Sequence, residues 1–318
     1  MHSLEVLYLY RYRFFLELLE ELRLPPFKGA SLRGAFGHAL RRVACAIPHQ
    51  QCDSCLLRGS CAYAVLFESS PPSGFPDADK FKTFPRPYLI NPPLSRQQSY
   101  QAGETLMFEV VLVGRAVDYL PHVILAFEDI GQKGLRQGSG RFNIAQVESV
   151  GPGGFATSIY ADGILSGAGK AITFLSETTP SLDQRGVTLH FVTPARLEVN
   201  GKLQDSAPSF AHLIRMLAQR ATLLAALYGE GNTMDSGLSE SMVQAAQAVR
   251  LVDSDVVWQE HERYSSRQKS RLRQGGIVGQ AVYHGPVGIF LPYLKLMEHL
   301  NIGKSTTFGL GRVAVSFG

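Results

Sequence analysis

Four groups of residues in this sequence have types and spacings that could do chemistry, and the first surrounds His38. On a helix, His38 shares one surface with Gly34, four residues before it, and with Arg41 and Arg42, three and four after it. An imidazole can exchange a proton near neutral pH, two guanidiniums can hold a phosphate, and a glycine leaves backbone that an anionic chain can approach. The opposite face of that helix would be Leu32, Ala35, Phe36, Ala39, Leu40 and Val43, all apolar. The plainer reading is a histidine that is only hydrogen-bonded structure; the chain has nine, and His49, His261 and His284 are weaker rivals.

The second group is Arg263, Arg267, Lys269, Arg271 and Arg273, all at odd positions. In a strand these share one face, because successive side chains alternate. Five phosphate contacts to a single strand of nucleic acid would give a salt slope of roughly 3.5, from about 0.7 per contact. A solvated edge strand guarded by its charges is the competing account. The third group closes the chain, Asn301 to Arg312, with glycines at 303, 309 and 311 beside Lys304 and Arg312. Its Gly-Lys-Ser is not a P-loop, since Glu298 stands where the first glycine of that motif must be. The glycines would instead let backbone amides approach an anion, with Gly303, Lys304, Gly309, Gly311 and Arg312 as contacts. An ordinary glycine-rich turn before a last strand is the alternative.

All four cysteines, Cys45, Cys52, Cys55 and Cys61, fall in one short segment, and Cys52 and Cys55 form a C-x2-C knuckle. That spacing predicts a structural zinc site that folds a loop poor in apolar residues, with an iron–sulfur cluster or unligated thiols as alternatives. No cofactor is expected for catalysis itself.

These groups need elements to position them. With 318 residues, 45% hydrophobic and 18% charged, the chain is long enough for two domains and too apolar to be disordered. A net charge of +4 does not by itself announce a nucleic-acid binder, so that case rests on where the cations sit. No apolar run is long enough to span a membrane or to serve as a secretory signal, so a cytoplasmic protein with no membrane partner is expected. Leu4 to Leu19 reads as a strand, Ser31 as the cap of a helix from Leu32 to about Cys45, and Ser69 to Pro93 as an extended connection. Strands at Leu106 to Val113 and Asn143 to Val150 flank a helix at Tyr119 to Gly131. The second half reads strand (Val187 to Val199), helix (Ser209 to Tyr228), a second helical patch (Ser239 to Leu251), hairpin (Trp258 to Arg273 with Ile277 to Tyr283), helix (Phe290 to Leu300), strand (Gly309 to Phe317). Apart from the extra helix this is the ferredoxin-like order.

At these points the sequence resembles the CRISPR-associated endoribonucleases that process precursor CRISPR RNA, the sixth Cas family of the RAMP superfamily. The resemblance is carried by Arg263-Tyr264-Ser265-Ser266-Arg267-Gln268-Lys269, by Gly275-Gly276-Ile277-Val278-Gly279, by Ile302-Gly303-Lys304 and Phe308-Gly309-Leu310-Gly311-Arg312, and by Gly29-Ala30-Ser31-Leu32-Arg33-Gly34-Ala35-Phe36-Gly37. It implies an α+β fold of two tandem ferredoxin-like (RRM-like, βαββαβ) domains, here with a cysteine-rich insertion, residues 1–183 and 187–318. It also implies RNA bound across them and cut within CRISPR repeats. The resemblance makes His38 the catalytic proton-transfer residue; Lys28, Arg41 and Arg42 are candidates for stabilising the extra charge on phosphorus, and Arg33 and Arg41 for contacting RNA. Attack by the ribose 2′-hydroxyl needs no metal, because the nucleophile is already held beside its phosphate, and it leaves a 2′,3′-cyclic phosphate and a 5′-hydroxyl. The expected partners are CRISPR repeat RNA, the processed crRNA and subunits of a CRISPR effector complex. The rival function is a non-catalytic crRNA-binding subunit of such a complex.

Overall fold

The computed structural model describes residues 7–68, 71, 75, 83–136, 138–173, 183–230, 236–265 and 270–318. From Leu7 onward the contacts divide into two units, Leu7–Ile172 with Leu223–Asn232, and Thr173–Thr222 with Thr233–Gly318.

The first unit runs β1 (Tyr8–Leu18), α1 (Gly29–Ala44), β2 (Tyr88–Asn91), β3 (Thr105–Val113), α2 (Leu120–Lys133), β4 (Phe142–Val150). The strands lie antiparallel in the order β2-β3-β1-β4, and β5 (Ala156–Ala161) extends the sheet beyond β4. Burial with a period of two makes β1 a strand: Tyr12, Phe14, Leu16 and Leu18 are buried, while Arg11, Arg13, Phe15 and Glu17 are not. The arginines on that second face pair across the sheet, Arg11 with Glu109 at 2.7 Å and Arg13 with Glu148 at 3.4 Å. On the buried face, rings from four elements meet: Phe14–Phe108 centroids are 5.2 Å apart, Phe108–Phe127 4.9 Å and Phe36–Phe127 5.4 Å. Aromatic pairs at such separations contribute roughly 0.5–1.5 kcal/mol each beyond their buried area.

The second unit contains β6 (Gly186–Ala195), α3 (Phe210–Tyr228, to Thr222 in this unit), α4 (Ser236–Ala245), β7 (Arg250–Ser254), β8 (Val257–Gln259), β9 (Glu262–Ser265), β10 (Ser270–Arg273), β11 (Gly276–His284), α5 (Leu291–Leu300) and β12 (Val313–Phe317). Its sheet order is β7-β11-β6-β12, with β8 also pairing β11. Numbered as β, α, β, β, α, β, both units place their strands second, third, first, fourth, so the chain is two ferredoxin-like folds in tandem.

Three expectations need correction. Ser31 does not cap α1; the helix begins three residues before the expected start, at Gly29 after Lys28, and has no side-chain cap. The stretch read as connection contains β2, all four of whose residues are buried. Trp258 to Arg273 is not one strand: β8 ends at Gln259, and β9 and β10 pair with each other as a separate two-stranded ribbon. Among the described residues no helix is long and apolar enough to cross a membrane.

Candidate nucleic-acid interface

α1 buries Leu32, Phe36, Ala39 and Leu40, which turns the other side of the helix outward. His38 is on that side, exposed, and makes no hydrogen bond or ion pair among the described residues. One turn before it, a Cβ added at Gly34 would meet nothing within 4 Å, so bare backbone faces open space there. One turn after it, Arg41 is exposed and its guanidinium lies 5.7 Å from the ring of Tyr63. Arg33, half-buried, lies 4.6 Å over Phe67, and Phe67 stacks on Tyr63 with centroids 5.3 Å apart. Gly37 admits this neighbour, because a Cβ there would stand 2.5 Å from the Phe67 ring. Tyr63 and Phe67 thus hold both guanidiniums by cation–π contact; sequence reasoning missed them because they fall beyond the cysteine loop.

Two of the expected charges are committed elsewhere. Lys28 is 0% exposed, and its ammonium donates to the carbonyls of Pro26 at 3.2 Å and Ser95 at 2.7 Å. Burial pushes its pKa down. Lys28 therefore secures the start of α1 and does not face a polyanion. Arg42 pairs with Asp129 of α2, its Nε 3.0 Å from the carboxylate, and Lys133 meets the same carboxylate at 2.5 Å. Partial burial raises the Asp129 pKa, but hydrogen bonds from Lys133 and Arg42, and their charges, bring it below its ordinary value. Arg42 clasps α1 to α2, which leaves Arg41 as the available cation on the His38 face.

The four cysteines are free, half-buried thiols at the end of α1, in a 3-10 turn at Cys52–Ser54 and just beyond it. Burial, then the Glu68 carboxylate, push the Cys52 thiol up, with Arg41 opposing. Among the described residues no group of three or more His, Cys, Asp or Glu is arranged to hold a metal ion, so this arrangement lends the zinc reading no support.

The glycine-rich turn is built differently from the expectation. Gly303 has φ +84°, and a Cβ there would stand 2.5 Å from the Arg196 carbonyl; Gly311, at φ +71°, would collide with the Ile302 carbonyl. Left-handed backbone and close approach both demand glycine, but the neighbour is the protein's own chain. The amides are used as well: Lys304 donates to Arg196 at 3.0 Å, Gly309 to Thr306 at 2.9 Å and Gly311 to Pro194 at 3.0 Å. Thr193 locks the turn, its hydroxyl donating to the Gly309 carbonyl at 2.7 Å and accepting from the Arg312 amide at 2.9 Å. The amides of 304, 309, 311 and 312 are thus not free to meet an anion, and the turn offers the exposed Lys304, paired with Glu198, and the half-buried Arg312. A lone threonine before Pro194 at a strand's end was the only sequence signal for this lock.

Positions 263, 271 and 273 of the basic run lie on the ribbon. Its Cα register sets Arg263 opposite Leu272 and Arg271 opposite Tyr264, so positions 263 and 271 fall on opposite faces of the ribbon, not on the one face expected. Arg273 stands opposite Glu262, while Arg267 and Lys269 lie outside the described residues.

A family model described as CRISPR-associated endoribonuclease Cas6 matches residues 189–313. Another, AF_1859_N, described as an N-terminal domain, matches residues 7–171. Residues 189–313 are thus a Cas6 domain. That match supports a role in CRISPR RNA processing. A Cas6 product complex superposes with TM-score 0.54 at 14% identity over 97% of this chain and 99% of that one. Thermus thermophilus Cas6 gives 0.52 at 11% identity over 98% and 99%. A chain of a partial Cas6-RT-Cas1–Cas2 complex gives 0.58 at 12% identity, covering 100% of this chain and 47% of that longer one. At such identities the likeness speaks for the Cas6 fold, two ferredoxin-like domains in tandem. An uncharacterised protein of Archaeoglobus fulgidus is 22% identical over 295 residues, 92% of each chain.

Proposed function

We propose that this chain is an endoribonuclease that cuts precursor CRISPR RNA within its repeats without a metal ion, by attack of a ribose 2′-hydroxyl on the adjoining phosphate. The observation that carries this reading is the surface of α1. There an exposed imidazole with no partner among the described residues, His38, stands between uncovered backbone at Gly34 and the exposed guanidinium of Arg41. In the cut, the 2′-oxygen bonds to phosphorus as the bond to the 5′-oxygen breaks. One proton leaves the hydroxyl and one reaches the departing oxygen. A histidine serves either transfer because the type titrates near neutrality. Of the three expected cations, Arg41 takes the electrostatic role, stabilising the extra negative charge on the phosphoryl oxygens.

The test is incubation with a cognate repeat RNA in excess chelator. Cleavage should persist, yield a 2′,3′-cyclic phosphate and a 5′-hydroxyl, and vanish when the scissile 2′-hydroxyl is replaced by hydrogen. His38→Ala should slow cutting by about a hundredfold or more while leaving RNA affinity nearly unchanged. Uncut RNA with firm binding would instead identify a non-catalytic crRNA-binding subunit of an effector complex.

A further inference from the structure

The sole tryptophan of the chain, Trp258 in β8, is 37% exposed. An exposed apolar side chain alone says little; here, though, the ring is fixed. Its indole N–H donates to Glu260 at 2.6 Å, and it lies against Gly275, where a Cβ would stand 2.5 Å from the indole nitrogen. Any larger residue at 275 would displace the ring.

The surroundings tie this ring to the two segments that the sequence marks for an anionic chain. The Gly275 carbonyl accepts from Arg196 at 2.6 Å, and the Arg196 carbonyl accepts the Lys304 amide of the glycine-rich turn. The neighbouring Gln274 reaches Ser305 of the same turn at 3.4 Å, and its amide donates to His261 at 2.7 Å, closing the foot of the β9–β10 ribbon. Trp258 thus sits where the arginine-bearing ribbon meets the turn. The Glu260 carboxylate that holds it lies in the field of the Arg196 guanidinium, which offsets a charge that would otherwise repel phosphate.

We infer that Trp258 is a stacking platform for an unpaired nucleobase of bound RNA. Because its N–H is already engaged, the ring offers a π face and no free donor, so it accepts any base by stacking and reads none by its edge. The inference rests on the proposed RNA-binding function but not on cleavage.

As the lone tryptophan, the residue reports on itself. Its fluorescence should be quenched by a short unstructured oligoadenylate carrying 2′-O-methyl groups, which cannot be cut, and not by an abasic ribose-phosphate chain of equal length. Trp258→Ala should weaken oligoadenylate binding roughly tenfold and leave abasic binding unchanged, while Trp258→Phe retains most of the affinity. Equal quenching by both oligomers, binding of neither, or wild-type affinity in Trp258→Ala would overturn the platform. Assaying repeat cleavage on the same preparations keeps the two readings apart. Cutting without quenching removes the platform alone, and quenching without cutting removes the nuclease alone.

Discussion

Replacing Thr193 by valine isolates what closes the glycine-rich turn. Valine keeps the shape of threonine but removes the one hydroxyl that bonds both the Gly309 carbonyl, at 2.7 Å, and the Arg312 amide, at 2.9 Å. Thr193 and Gly309 are buried, so water cannot readily replace the lost bonds. A buried polar group stripped of its partner costs about 1–3 kcal/mol, and two such losses with partial relaxation come to about 3 kcal/mol. With a urea slope of about 2 kcal/mol per molar for a unit of this size, the midpoint should fall by about 1.5 M. Trp258 lies in the same unit and is the only tryptophan, so its emission follows this unfolding. Thr193→Ser keeps the hydroxyl and should recover most of the loss, and hydrogen exchange at the Arg312 amide should quicken only in the valine variant. A valine variant whose midpoint lies within about 0.2 M of wild type would refute the reasoning, because that shift corresponds to less than the weakest buried hydrogen bond.

Two further substitutions and one titration probe the first unit. Gly37→Ala would push a methyl into the Phe67 ring and should destabilise the unit by about 1–3 kcal/mol in thermal or urea unfolding; an unchanged midpoint would mean the ring moves freely. Gly34→Ala meets nothing and should stabilise α1 by up to about 1 kcal/mol, yet slow RNA cleavage if substrate needs the bare backbone beside His38, which kinetics on the same protein would show. The Asp129 pKa is lowered by folding, so its contribution is complete above the ordinary aspartate value of about 3.9 and is lost as pH falls through the lower folded value. Stability measured against pH should therefore drop more steeply below about pH 4 in wild type than in Asp129→Asn, and parallel curves would remove the clasp from the account.

Much of the architecture is written in local periodicity. The alternation of Tyr12, Phe14, Leu16 and Leu18 against Arg11, Arg13 and Phe15 marks β1, and the apolar stripe of α1 put His38 outward before any coordinates did. β2 escaped because four residues flanked by prolines are too few to show a period, and its place is set by pairing with a strand some twenty positions on. The basic run misled for a related reason. Odd-numbered positions share a face only while the strand continues, and pairing of β9 with β10 breaks it into two. Charge partners were the least legible feature. Nothing in the sequence near Lys28 names the carbonyl of Ser95, and nothing near Arg42 names Asp129, because both contacts form only when distant elements meet.

The threonine-locked turn also bears on how quickly a ligand can be held. Since its bends, amides and glycines are satisfied by residues of its own unit, the turn acquires its final contour as the unit folds, with no guest required. An incoming anion finds a rigid surface, and the entropy of ordering that backbone is not charged against its affinity. Association at such a surface should show little of the slow conformational phase that accompanies loops shaped only on contact.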